Sequence, residues 1–231
     1  MKNRIKNLAF RIYCKLEGYN NADKHTNGEM KFINSLKDIK VVFDIGANRG
    51  DYSKMILERF NAEIHAFEPQ YECFKDLCKH SVIANKVGVS DKEEEKELYF
   101  FEEESEIASL YKRELKSGTF NKSKKIKLIR LDKYIEENNI NKIDLLKIDI
   151  EGHELSALKG LGKYLNRNFI KMIQFEYGGC NIDSRVQLKD LFEILSDYDI
   201  YRVMPKGLKK TNYTQQIENN YYCNYIAKWK K

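Results

Sequence analysis

Six residues, Asp149-Ile150-Glu151-Gly152-His153-Glu154, hold the densest cluster of ionisable groups in the chain. Three carboxyls and an imidazole this close together suit proton transfer. A carboxylate or histidine beside a hydroxyl can take its proton, and histidine titrates near neutral pH. Asp149 ends an apolar run, Ile143 to Asp149, and Glu151 leads into a helical pattern, so the cluster falls at the carboxyl end of a strand. Glu176 ends a second apolar run, Ile170 to Glu176, where a carboxylate is expected to be functional or paired. Asp149, Glu151, His153 and Glu176 are therefore the candidate catalytic residues. A plainer role exists for some of them. Glu151, His153 and Glu154 can cap and charge the first turn of a helix, whose dipole favours anions, and His153 can be an exposed helix histidine.

The second constellation is Lys40 to Gly50, KVVFDIGANRG. Val41-Val42-Phe43 fits a strand buried on both faces. Asp44, Gly46, Ala47, Asn48 and Gly50 follow, and then Tyr52, Met55, Ile56 and Phe60 recur at helical steps. Strand, glycine-bearing turn and helix bring backbone amides close to a nucleotide-like ligand, and Gly46 and Gly50 leave room for close approach. The spacing departs from G-x-G-x-x-G and is similar to the D-x-G-x-x-x-G first motif of S-adenosylmethionine (SAM) methyltransferases. Glu68 closes the next strand, Ala62 to Glu68, which Pro69 stops. It stands 22 residues after Gly46 and can accept hydrogen bonds from both ribose hydroxyls. A third strand, Ser81 to Ser90, presents Val89 and Ser90 for lining an adenine. Asp44, Gly46, Ala47, Asn48, Gly50, Glu68, Val89, Ser90 and Asp149 form the candidate cofactor set, Asp149 being counted in both.

These residues share a rim because strands alternate with helices along the chain, and an open α/β sheet binds ligands beyond its carboxyl strand ends. Lys96 to Phe101 and Lys124 to Arg130 read as two further strands in an antiparallel extension, separated by a long polar stretch, Glu102 to Ser123. Helices are expected over Gly152 to Leu165 and Val186 to Leu195. Asp199 to Met204 and Tyr222 to Trp229, with no helical period between them, should pair as an antiparallel hairpin. The expected fold is a class I methyltransferase (Rossmann-like) α/β sheet, mostly parallel, ending in that hairpin. Residues 1–35 read as an N-terminal helical extension and 36–231 as a single domain.

Apolar residues make up 42% of the 231, enough for a core, and no apolar run is long enough to cross a bilayer. With no secretory signal and five scattered cysteines lacking C-x-x-C spacing, the expected location is cytoplasmic, with free thiols. The net charge of +6 is dispersed and broken by the acidic Glu93–Glu106 stretch, which excludes the basic stripe of a nucleic-acid binder. Residues 1–20 place Ile5, Leu8, Ala9, Ile12 and Leu16 on one helical face and most of their basic residues on the others. Such a helix packs on its own domain or a partner, or lies weakly on an anionic membrane surface.

Taken in order, VVFDIGANRGDYS, AFEP, IASL, LDKYI, LLKIDIEGHE with LKG, and IQFE resemble the FkbM-type SAM-dependent methyltransferases, from about Val41 to Glu176. The resemblance implies SAM as methyl donor and an oxygen of a small molecule or glycan as acceptor. It also implies that Asp44, Gly46, Ala47, Asn48 and Gly50 hold the amino-acid end of SAM and Glu68 its ribose. Ser109 would lie near the site, and Asp149, Glu151, Glu154 and Glu176 would face the acceptor. It does not settle which of these four is the base; convergence on one sheet edge points to Asp149, Glu151 or Glu176, or to His153. No resident metal is expected, although the same carboxylates would suit magnesium. A dinucleotide-dependent reductase lacks its glycine fingerprint here. An amino-methylating nucleic-acid enzyme would carry N/D-P-P-Y/F where this chain has Asp149-Ile150-Glu151-Gly152.

Overall fold

Apolar runs of the sequence become strands buried on both faces. The computed structural model describes residues 2–101, 108–115 and 118–229. Its helices are α1 (Lys2–Glu17), α2 (Glu29–Ser35), α3 (Asp51–Leu57), α4 (Tyr71–Leu77), α5 (Leu131–Glu137), α6 (Glu154–Lys159), α7 (Cys180–Ser184) and α8 (Leu188–Ile194). Its strands are β1 (Val41–Ile45), β2 (Glu63–Phe67), β3 (Ile83–Asn85), β4 (Gly88–Val89), β5 (Glu94–Phe100), β6 (Glu114–Leu115), β7 (Gly118–Thr119), β8 (Lys122–Ile129), β9 (Leu145–Ile148), β10 (Met172–Tyr177), β11 (Tyr198–Met204), β12 (Gly207–Lys210) and β13 (Cys223–Trp229).

The main sheet runs β12-β11-β13-β10-β9-β1-β2-β3. From β3 to β10 all neighbours are parallel, and β13 is inserted antiparallel between β10 and β11. Successive residues of each central strand face opposite layers. Val42, Ile64, Leu145 and Ile226 pack with Phe32 and Ile33 of α2, Ile56 of α3 and Leu77 of α4. Phe43, Phe67, Leu146 and Phe175 pack with Leu131 of α5, Leu158 of α6 and Leu191 of α8. This period-2 division explains why the strands read as continuous apolar runs. Strand order reverses between β1 and β9, so the carboxyl ends of these two strands flank the crevice where α/β sheets bind ligands.

Three expectations change in the folded chain. Ser81 to Ser90 is not one strand. Only β3 joins the main sheet, while β4 crosses to pair with β8. Gly88 permits the crossing, since a Cβ there would lie 2.6 Å from the Leu128 side chain. The β5–β8 pair is antiparallel as expected, but it builds a separate three-stranded sheet, β4-β8-β5, rather than extending the main one. The helix expected over Gly152 to Leu165 is α6 followed by a 3-10 turn at Gly162–Tyr164. The expected β11–β13 pairing is present, from Tyr198↔Trp229 to Arg202↔Tyr225, and β12 adds an edge strand to β11. Of the polar stretch Glu102 to Ser123, residues 102–107 and 116–117 lie outside the described residues.

Candidate active site

A cavity of about 610 Å³ opens over the switch point. That is within the range of small-molecule sites. Its floor is the β1 turn, the β2 end and the β9–α6 turn, and its roof is the second sheet with Ala108 and Leu110. Gly46, Ala47, Asn48, Glu68, Val89, Asp149, Glu151, His153 and Glu176 of the candidate sets all line it. Asp44, Gly50, Ser90 and Glu154 do not. The side chains or backbone of these four turn to partners within the protein.

Asp44 points into the core. It is fully buried and accepts the Ser53 hydroxyl at 2.7 Å, and its Oδ1 makes no hydrogen bond. Gly50 caps α3 at φ 89°, against the His80 ring. Gly46 lies at the cavity, but its need for glycine is internal: at φ 79°, a Cβ would stand 1.9 Å from the Asp149 carbonyl oxygen. The β1 turn thus packs onto the β9 end with no room for a side chain. Asn48, at φ 48°, turns its N–H to Glu68 Oε2 at 3.0 Å, and the Gln70 N–H reaches Oε1 at 2.8 Å. Each Glu68 oxygen keeps lone-pair capacity for a ligand hydroxyl. Burial raises the Glu68 carboxyl to about 7, partly offset by those two N–H donors. Beside it Val87, Val89, Leu98, Ile126 and Leu128 form an apolar wall. A hydroxyl-binding acid next to an apolar slot fits a nucleoside, and Glu29, Asp149, Glu151 and Glu176 on the remaining wall fit a sulfonium cation.

The acidic wall is organised by two cations that sequence reasoning missed. Lys147 lies inside β9, 3.0 Å from Asp149 Oδ2, 3.9 Å from Asp44 Oδ1 and 5.2 Å from the Tyr52 ring centre. Burial opposes its charge, but Asp149, Asp44 and Glu29 outweigh burial and raise its pKa. Burial likewise opposes ionisation of Asp149. Lys147 and a hydrogen bond with Glu176 overcome it and hold this carboxyl below its ordinary value. Glu176 moves the other way, well above 4.5, through burial, the charges of Asp149, Glu151 and Glu154, and that shared hydrogen bond. Glu176 is thus the acid of the pair and Asp149 the carboxylate. One signal for Lys147 was present, since a lysine within an apolar strand must find anions. Arg113, by contrast, lies in an irregular polar stretch that carried no signal.

Arg113 Nη1 donates to Glu151 Oε2 at 2.6 Å and its Nε to Asp183 at 3.2 Å. Burial, then the Asp149 charge, raise Glu151 to about 7 against the pull of Arg113. Glu151 also holds φ 53°, a left-handed backbone rarely adopted by a residue with a side chain. Ser109 supports that turn by donating to the Glu151 carbonyl at 2.8 Å. His153 is committed elsewhere. Its Nε2 meets Ser90 Oγ and its Nδ1 meets Tyr111 Oη, each at 2.9 Å. Burial lowers its pKa to about 4, so the ring is neutral and both nitrogens are occupied. The Glu154 carboxylate takes the plainer role and caps the preceding turn, accepting the Ile150 and Gly152 N–H groups at 3.2 and 3.1 Å.

Glu154 carries a stability prediction. Burial raises it to about 7, against a normal 4.5. The folded chain therefore holds this proton more tightly than the unfolded one. Its contribution is fully present below pH 4.5 and is lost as pH rises through 7. Glu154→Gln keeps the capping oxygen and removes the charge. It should lie within about 1 kcal/mol of the parent at pH 5 in denaturant unfolding and exceed it at pH 8 by up to about 3 kcal/mol. A smaller gap at pH 8 than at pH 5 would contradict this.

The sheet order, with one antiparallel strand inserted toward its edge and a cavity over the switch point, is that of a class I methyltransferase. The Methyltransferase FkbM domain family matches residues 44–201, and the chain belongs to that family. A curated relative, hexuronic acid methyltransferase AglP of Haloferax volcanii, is 28% identical over 175 residues, spanning 71% of this chain and 65% of that protein. The ribosomal protein L11 methylase of Lactobacillus delbrueckii subsp. bulgaricus superimposes with a TM-score of 0.49 at 11% identity, covering 92% of this chain and 82% of the other. The plantazolicin methyltransferase BpumL, solved with S-adenosylhomocysteine, gives 0.47 at 12% identity, with 92% and 88% covered.

Proposed function

We propose that the chain methylates a hydroxyl oxygen of a small molecule or glycan, with a sugar as the acceptor class, and that Glu151 takes the hydroxyl proton. When bound, SAM supplies an activated methyl group, so the protein's task is alignment and proton removal. The observation that carries the reading is Glu151 itself, a cavity-lining carboxylate in a strained turn whose pKa sits near neutrality. A general base works best with a pKa near the operating pH. The Glu176 carboxyl is pushed well above its ordinary range, Asp149 is tied to Lys147, and the His153 nitrogens are both in use. Glu68, steadied by the Asn48 N–H, would hold the ribose end, and the apolar wall the base. The sugar acceptor is also supported by the name of the Haloferax relative.

Methyl-labelled SAM offered to a panel of uronic acids, neutral sugars and lipid-linked glycans tests the reading. Base-stable label on a sugar hydroxyl supports it, and transfer confined to amino acceptors would refute it. A metal dependence is not expected. Among the described residues Glu151, Glu176 and Cys180 bring ligand atoms within 4.8 Å of one another. Burial and the surrounding carboxylates raise the Cys180 thiol above its ordinary range, and a neutral thiol is a poor partner for magnesium. Turnover should survive EDTA treatment unchanged, measured against a magnesium-supplemented control.

A further inference from the structure

Helix α1 leaves its most apolar face without a partner. Ile5, Leu8, Ile12 and Leu16 recur at three- and four-residue steps and are 63, 59, 50 and 71% exposed. The opposite side holds the helix to the protein. Cys14 is buried, the Phe10 ring sits 5.3 Å from Tyr221, and Glu17 pairs with Arg202. The helix is thus fixed at one side and bare at the other. An ordinary surface helix is arranged the other way round, with its apolar stripe turned inward.

The rims of the bare stripe are cationic. At 100° per residue Arg4, Arg11 and Lys15 fall along one edge and Lys6 along the other, all exposed where their burial is described. Glu17 is the helix's one acid, and it is engaged by Arg202. Apolar side chains between rows of lysine and arginine match the acyl boundary and headgroups of an anionic bilayer. A second copy of the same face suits it less, because face-to-face packing would oppose cationic rims. At 16 residues the helix is too short and too charged to cross a bilayer, and no described helix can do so. Lying in the interface is the remaining geometry.

We propose that the α1 face Ile5-Leu8-Ile12-Leu16, with its Arg/Lys rims, docks this enzyme on anionic lipid surfaces. The attachment to the active site is short. Asn20, three residues beyond the helix, donates its N–H to the Tyr222 carbonyl at 2.8 Å and accepts the Tyr222 N–H at 3.0 Å, and Tyr222 lines the cavity. A bilayer under α1 therefore holds the cavity beside its surface rather than at the end of a linker.

The test is co-sedimentation of the full chain with phosphatidylcholine vesicles and with vesicles containing phosphatidylglycerol. Binding to the anionic vesicles only, weakened by added salt, is the expected result. Each cation near such a surface contributes about fivefold to partitioning, so Arg11→Glu with Lys15→Glu should reduce binding by more than about 25-fold. Ile12→Glu with Leu16→Glu should abolish it while SAM affinity, measured by calorimetry, stays at the parent value as the check on folding. No binding to anionic vesicles at low salt would overturn the proposal, and so would equal binding by either double variant. A parent dimer that Ile12→Glu converts to a monomer, without vesicle binding, would assign the face to a second copy instead.

Discussion

Glu151→Gln is expected to lower kcat by about 10²- to 10⁴-fold, the range for losing a general base, and to weaken SAM binding far less, since it neutralises one of the four carboxyls on the wall that fits the sulfonium. Glutamine keeps an oxygen for Arg113, so the left-handed turn and its Ser109 support remain. Only the capacity to take a proton is removed. The pH profile gives the sign. A base with a pKa of about 7 is protonated below that pH, so parent kcat at saturating SAM should rise through pH 7 and level off above it. The variant should lose that limb. Glu68 is also raised to about 7, but our proposal puts it at the ribose end, so Glu68→Gln should weaken SAM binding and keep the limb in kcat. Glu176→Gln should be milder than Glu151→Gln, because Glu176 acts as a donor to Asp149 and an amide can still donate. If Glu151→Gln turned over at the parent rate, or kept the acid limb, the base would have to be sought elsewhere.

Lys147→Met is expected to cost about 3–5 kcal/mol in folding stability at neutral pH, the penalty for breaking a buried ion pair from one side. Methionine fills similar volume, so the loss is electrostatic. Asp44 is fully buried, its Oδ1 makes no hydrogen bond and lies 3.9 Å from the Lys147 ammonium, and without that ammonium both Asp44 and Asp149 face low dielectric as uncompensated anions. Burial already raises Asp44 in the parent and would raise it further without Lys147, while Asp149, now held below its ordinary value, would rise above it. Such groups stabilise below the unfolded carboxyl pKa, and that contribution is lost as pH rises through the raised folded value. The variant should therefore approach the parent near pH 4 and fall behind it toward pH 7. Urea unfolding at both pH values checks the prediction. An equal deficit at both would point to packing rather than charge.

Much of the fold was legible because the core strands are buried on both faces. Val41 to Ile45 and Met172 to Tyr177 have no solvent side to obscure them, and the β11–β13 pairing was readable from the missing helical period between two aromatic segments. The second sheet was legible as strands but not as a roof. Nothing local in Lys122–Ile129 says which sheet it joins, because register and partner depend on Gly88 packing beside Leu128. Part of the site was legible for a similar reason. Asn48, Glu68, Asp149, Glu151 and Glu176 were recognisable because a carboxyl or amide at a strand end must meet either a ligand or a partner.

The sequence alone determined the layers, the strand ends and the acids those ends present, since periodicity and strand termination are local properties of neighbouring residues. Tertiary structure decided which of those acids keeps its proton. Asp149 is held low, Glu176 is pushed high and Glu151 lies near 7 because of burial, their mutual charges, Lys147 and Arg113, influences that act across space. It also decided that Asp44 and Glu154 serve the scaffold, because side-chain direction at a strand end or helix start is set by what packs around it.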